Sequence, residues 1–288
     1  AQLDLFDPIA QDAWEMGLFQ VPSNEAWKLK NDRLRPLAQD HIDFLESGGT
    51  IEENQAKKDQ LTTLNTACLD LKNWVKKECA ERLDAGKIVG LVGGEHATPL
   101  GLLEALSERY ESFGILQIDA HMDLRKAYEG FVYSHASIFY NAVKLPSVTK
   151  LVQLGIRDYC EAEWALAQAS SGKVEVLTDH ALRQAQFKGT PFAETLQPYL
   201  DALPELVYIS FDIDGLDPSL CPNTGTPVPG GFSFAEAVFI LESVFHSGRK
   251  IIGFDLCETG GNTEWDGNVG ARMLYKLANV TGKSQGFI

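Results

Sequence analysis

A chain of 288 residues with 44% hydrophobic and 23% charged side chains has ordinary globular composition and enough apolar material to bury a sizeable core. The 25 Lys and Arg against 40 Asp and Glu leave a formal charge of -15, which repels a phosphate backbone, argues against a nucleic-acid partner and weakly favours a cationic ligand. No apolar run approaches the roughly 20 residues of a membrane span, the start Ala1-Gln2-Leu3-Asp4 has no export-signal pattern, and the five scattered cysteines have no CxxC spacing. A cytoplasmic protein without membrane contact, disulfide framework or zinc knuckle is expected.

Residues 1 to about 85 read as a polar, mostly helical part, with Trp14, Trp27, Leu34, Leu37 and Phe44 as packing positions and Gly48-Gly49 as a break before a long helix. This part carries little chemistry. From Lys87 onward short apolar runs alternate with amphipathic stretches. The runs at 88–92, 114–118, 151–154, 174–177, 206–211 and 251–256 are predicted as buried strands. The stretches at 99–110, 135–142, 161–169, 191–203, 234–247 and 269–279 are predicted as helices. With no repeat or linker to divide it, the alternation predicts one α/β domain over 1–288, a three-layer α/β/α arrangement with a mainly parallel sheet. Residues 1–85 form its helical N-terminal part and 86–288 its core.

Parallel sheets bind ligands outside the carboxyl ends of their strands. Polar residues fall there: Gly93-Gly94-Glu95-His96, Asp119-Ala120-His121-Met122-Asp123, Asp212-Ile213-Asp214 and Glu258 each follow an apolar run closely. Asp119, His121 and Asp123 are spaced i, i+2, i+4, which in an extended chain puts three side chains on one face, and Asp212 and Asp214 repeat the spacing. Taken singly, His121 reads as a satisfied histidine, Asp212 and Asp214 as a capping pair, and His96 as a residue of a helix start before Thr98-Pro99. Taken together with His96, they put four carboxylates and two imidazoles at buried strand ends, too much negative charge to coexist without cations. Oxygen-rich ligation with a minority of imidazoles suits Mn²⁺ better than structural zinc. Six ligands exceed what one open catalytic ion needs, so two Mn²⁺ per chain, acidifying a water between them, are expected.

These three segments, the third running from Ser210 to Pro218, resemble the metal signatures of the ureohydrolases, the arginase, agmatinase and formiminoglutamase family, and the resemblance covers roughly residues 86 to 280. It implies an arginase-like fold, bridging of two ions by Asp119 and Asp212, completion of one ion by His96 and Asp123, and of the other by His121 and Asp214. It places His135, in Ser134-His135-Ala136, as the histidine that passes protons to the leaving amine, and Glu258 as the carboxylate that holds the guanidinium; Asp123 is counted with them as catalytic. It further implies a homo-oligomer and a small cationic guanidino substrate. The pattern departs from the family at both ends: Ala1–Pro8 looks like a segment that follows the family's first strand, and Gly260-Gly261-Asn262 stands where the family has an Asn-Pro-like continuation. Arg125, Phe131 and Cys160 do not reproduce the arginase pattern for an amino-acid tail, whereas Glu95 and the run from Cys221 to Gly231 look agmatinase-like. Agmatine converted to putrescine in polyamine biosynthesis is therefore expected first. A guanidino acid paired with Arg125 comes next, then arginine or formiminoglutamate, with a metal-binding inactive relative as the alternative from another class.

Overall fold

The computed structural model describes residues 4–11, 13–261 and 263–288, so the readings at Ala1-Gln2-Leu3 and at Asn262 lie outside the described residues. Two long helices come first. Helix α1 (Glu25–Glu46) is capped by Asn24, whose side chain accepts from Trp27 N, and α2 (Gln55–Asp84) by Asn54, which accepts from Lys57 N. They pack as a pair, with Trp27 against Trp74 at 5.5 Å between ring centroids. Of the predicted packing positions, Trp14, in a 3-10 turn before α1, and Leu37 stay largely solvent-exposed, whereas Trp27, Leu34 and Phe44 are partly buried.

The core follows in alternation: β1 (Gly90–Val92), α3 (Leu100–Arg109), β2 (Phe113–Ile118), α4 (Ile138–Ala142), β3 (Val148–Ile156), α5 (Glu161–Ala169), β4 (Val174–Thr178), α6 (Asp179–Phe187), α7 (Phe192–Asp201), β5 (Leu206–Asp212), α8 (Phe234–His246), β6 (Lys250–Cys257) and α9 (Glu264–Ser284). The strands form one sheet in the order β1-β6-β5-β2-β3-β4, and every pairing is parallel. Every residue of β2 is buried, as a central strand covered on both faces requires. Leu116, Ile118, Val207 and Ile209 point into a core shared with α6, α7, α8 and α9. Phe113, Ile115 and Tyr208 point into the opposite core with α2, α3, α4 and α5. The result is the predicted three-layer α/β/α architecture. Helix α2 reaches α3 closely because residue 101 is glycine: a Cβ there would lie 2.5 Å from Lys72 O.

Two differences from the predicted elements have local causes. Helix α6 lies outside the predicted helices: Asp179–Phe187 is short, its mean hydropathy is low and it buries only Leu182, and a Thr178 cap starts it. Helix α9 begins five residues before the predicted 269, at Glu264, because Thr263 Oγ1 accepts from Asp266 N and the first turn is polar. All five cysteines are free thiols, and no helix of the described residues is long and apolar enough to cross a membrane.

Candidate metal centre

The sheet order puts β1, β6, β5 and β2 side by side, so in a parallel sheet their carboxyl ends meet on one edge. Registers Val92↔Leu256, Asp212↔Cys257 and Ile118↔Phe211 bring His96, Glu258, Asp212 and Asp119 to that edge together.

The local geometry differs from the extended alternation expected for 119–123. Strand β2 ends at Ile118, and Asp123 has a left-handed backbone with φ 54. An Asx-type turn does the placing: Asp119 Oδ1 accepts from His121 N at 2.7 Å. The same device recurs after β5, where Asp212 Oδ1 accepts from Asp214 N at 2.9 Å and a single 3-10 turn follows. Each first aspartate thus gives one oxygen to the backbone and turns its Oδ2 toward His96. Glu258 is also left-handed, φ 60, so the two non-glycine residues at the site with strained backbones are both carboxylates.

His96 is fully buried, and its Nδ1 faces three carboxylates: Asp119 Oδ2 at 3.1 Å, Asp123 Oδ2 at 3.1 Å and Asp212 Oδ2 at 3.2 Å. None of these contacts is a hydrogen bond, so Nδ1 is a buried polar atom without a partner. His96 Nε2 lies 2.9 Å from Ser210 Oγ, and Ser210 Oγ donates to Asp255 Oδ2 at 2.7 Å. Asp255 also accepts from Tyr208 Oη and from Phe211 N. With Ser210's proton committed to Asp255, Nε2 donates to Ser210, and Nδ1 is the ring atom left to bind an ion among the carboxylates. Separations near 3.1 Å equal the spacing of adjacent ligands about a divalent ion bound at about 2.1 Å.

A second group adjoins the first. His121 Nδ1 lies 3.1 Å from Asp214 Oδ2 and 3.6 Å from Asp119 Oδ1. Asp119 therefore belongs to both groups, one oxygen to each: His96, Asp119 and Asp212 in one, Asp119, His121 and Asp214 in the other. Gln117 Nε2 donates to Asp119 Oδ2 and is itself held by Gln153, and Ala120 N donates to Asp214 Oδ1.

The electrostatics are those of a site short of positive charge. Burial opposes charge on His96, but the surrounding carboxylates override it and push its pKa well above the ordinary value. Burial likewise opposes charge on His121, and Asp119 and Asp214 lift it to about 11. Burial and then the Asp119 charge raise Asp123 to about 7, and burial with Asp214 and Asp119 raises Asp212 well above the carboxylate range. Two divalent cations would balance the four carboxylates, and the residues present fit such a pair.

His135 and Glu258 flank this cluster. Glu258 Oε1 accepts from His96 N at 2.9 Å, and burial raises its pKa. His135 opens a 3-10 turn before α4, and its pKa is raised by the Glu95 carboxylate, with Asp123 and Glu258 adding to the effect. Arg125, Phe131 and Cys160 form no tail-binding set. Arg125 Nε lies 3.6 Å from Glu163 Oε2 and its guanidinium sits over Tyr128; Phe131 packs edge-on against His41; Cys160 caps α5. Asp255, Gln117, Gln153 and Glu163 were not expected at the site, and Ser210 stood at the start of the third signature without a role. Asp255, Gln117, Gln153 and Ser210 lie inside runs read as apolar strands, where a lone polar residue was the available signal.

Sequence and structure comparisons agree on what this arrangement is similar to. The arginase family profile matches residues 41–279. An N(1)-aminopropylagmatine ureohydrolase of Thermus thermophilus is 36% identical over 215 residues, 74% of this chain and 69% of that protein. An agmatinase of Halalkalibacterium halodurans is 34% identical over 174 residues, 59% of this chain and 54% of that protein. Among solved structures, an agmatine ureohydrolase of Thermoplasma volcanium superposes with a TM-score of 0.62 at 25% identity, covering 75% of this chain and 70% of that one. The proclavaminate amidinohydrolase of Streptomyces clavuligerus, 23% identical, shares the fold with a TM-score of 0.64 over 74% of this chain and 70% of its own.

Proposed function

The chain belongs to the arginase family, and from that premise we propose that it is a ureohydrolase that uses two divalent cations to hydrolyse the guanidinium of agmatine, releasing urea and putrescine. The observation that carries the reading is the pair of buried groups sharing Asp119, with the unpartnered Nδ1 of His96 facing three carboxylates. His96, Asp119, Asp123 and Asp212 would hold one ion and Asp119, His121 and Asp214 the other. Four carboxylates with two imidazoles form an oxygen-rich set that favours Mn²⁺ over zinc. Bound there, the ions would supply Lewis-acid activation of a water for attack on the guanidinium carbon.

The chain's own residues account for the rest. Glu258 accepts N–H donors of the planar guanidinium and stabilises its positive charge. The overall reaction converts a guanidinium and water into an ammonium and neutral urea, so no net proton is released, and the leaving nitrogen gains both of the water's protons. His135 is the imidazole assigned to carry them, one at a time, as the carbon–nitrogen bond breaks with its electron pair on nitrogen.

At the far end, agmatine presents only an ammonium. Arg125, a cation that would reward a carboxylate tail, is engaged by Glu163 and Tyr128. A carboxylate tail is therefore left uncompensated among acidic residues, and agmatine should exceed arginine and guanidinobutyrate by about tenfold or more in kcat/KM. Similarity to the Thermus protein favours one further candidate, agmatine extended by an aminopropyl group. Urea release from these four compounds with Mn²⁺ tests the reading, and preferential turnover of guanidinobutyrate or arginine would overturn the substrate assignment.

A further inference from the structure

Glu95 is the acidic residue of the first signature that takes no part in either ligand group. It follows the Gly93-Gly94 turn after β1, and its Oε1 accepts from His135 N at 2.9 Å and lies 3.2 Å from His135 Nδ1. An ionised carboxylate oxygen only accepts, so Nδ1 carries the proton in this contact and Nε2 is the ring atom left to exchange one. One oxygen captures both N–H groups, which fixes the ring and the start of the turn that bears it. Tyr128 closes another side of the ring, edge-on at 5.6 Å between centroids, with Arg125 lying beyond it over the tyrosine face. The charged groups facing His135 are thus Glu95, Asp123 and Glu258, with Arg125 behind Tyr128.

We propose that Glu95 is the positioning residue of His135: it holds the Nδ1–H tautomer in one orientation, so that Nε2 passes the proton to the leaving amine. The assignment rests on the ureohydrolase reading. When the imidazolium gives up its Nε2 proton, the form that remains is the Nδ1–H tautomer already hydrogen-bonded to Glu95, so no ring flip or tautomer exchange interrupts the next turnover.

The test uses protein labelled with ¹⁵N-histidine and loaded with diamagnetic Mg²⁺, the His135 signals being assigned by their loss in His135→Ala. Wild type should show a pyrrole-type Nδ1 and a pyridine-type Nε2 in the neutral ring. Glu95→Ala should show averaged tautomers, while Glu95→Gln, whose amide oxygen still accepts, should keep the Nδ1–H form. With Mn²⁺ and agmatine, kcat should fall about 10- to 100-fold in Glu95→Ala, part of the 10²–10⁴ that a positioned acid is worth. KM should stay within about twofold, with partial recovery in Glu95→Gln. An Nε2–H tautomer in wild type, or His135 signals unchanged by Glu95→Ala, would overturn the assignment. The spectra are read on enzyme without substrate, so they decide the role of Glu95 whatever the substrate panel shows.

Discussion

His96 has two differently committed nitrogens: Nε2 points to Ser210 and through it to Asp255, and Nδ1 faces Asp119, Asp123 and Asp212. If that relay sets the tautomer for ligation, Ser210→Ala or Asp255→Asn should weaken the first ion's binding by about 10- to 100-fold, measured by competition with a chelator. Unchanged affinity would show that the relay is only packing. His135→Ala should instead leave both ions bound and lower kcat by roughly 10²–10⁴; a fall of only a few-fold would leave His135 as the start of a helix and nothing more. The metal-free protein gives a third check. Asp123 is raised to about 7 against 3.8 for an ordinary aspartate, and Asp212 is raised in the same sense, so the folded state holds these protons more tightly than the unfolded chain. Stability is therefore present at low pH and lost as pH rises from about 4 to 7. Divalent ions bound by these carboxylates would replace those protons, and the gain in Tm on adding Mn²⁺ should be larger at pH 8 than at pH 5. A gain independent of pH would mean that these carboxylates are not the ligands. The candidate ligands were legible because each follows an apolar run; Asp255 and Gln117 were not, because a polar residue inside a strand declares its partner only when its neighbour strand is known.

The N-terminal helices, read from sequence as carrying little chemistry, reach the site's rim. His41 Nε2 donates to Glu129 O, Asn65 Nδ2 donates to Gly130 O, and Asn65 Oδ1 accepts from Val132 N. They grip a tight turn in which Glu129 and Gly130 both have positive φ, closed by paired hydrogen bonds between Tyr128 and Phe131. Tyr128 at the turn's start packs on His135. This link spans sequence separations of 65 to 88 residues, beyond the reach of any periodicity argument. Asn65→Ala should cost about 1–3 kcal/mol of stability through the unmade hydrogen bonds. It should also lower kcat/KM by about tenfold, because small displacements near reacting groups are expensive. A variant equally destabilised in the α1–α2 contact, Trp27→Ala, should keep its kcat/KM at a temperature where both are folded. Equal losses in the two variants would show that the turn has no special part. Gly130→Ala should be the harsher change, since φ is 85 and the added Cβ would lie 2.6 Å from Leu61 Cδ2.

Over the whole molecule, the fold was readable because parallel strands covered on both faces appear as continuous apolar runs. Their order was not, since nothing local says that β1 lies beside β6 or that β5 returns next to β2. That order is what gathers four polar strand ends into one acidic cluster. A shared Asp119 should tie two cations into one ureohydrolase site. Metal-free protein titrated with Mn²⁺ while urea release from agmatine is followed measures this directly. Activity should rise until two ions are bound per chain, and Asp119→Asn should bind at most one and release no urea. Full activity at one ion per chain, or substantial urea release by Asp119→Asn, would contradict it.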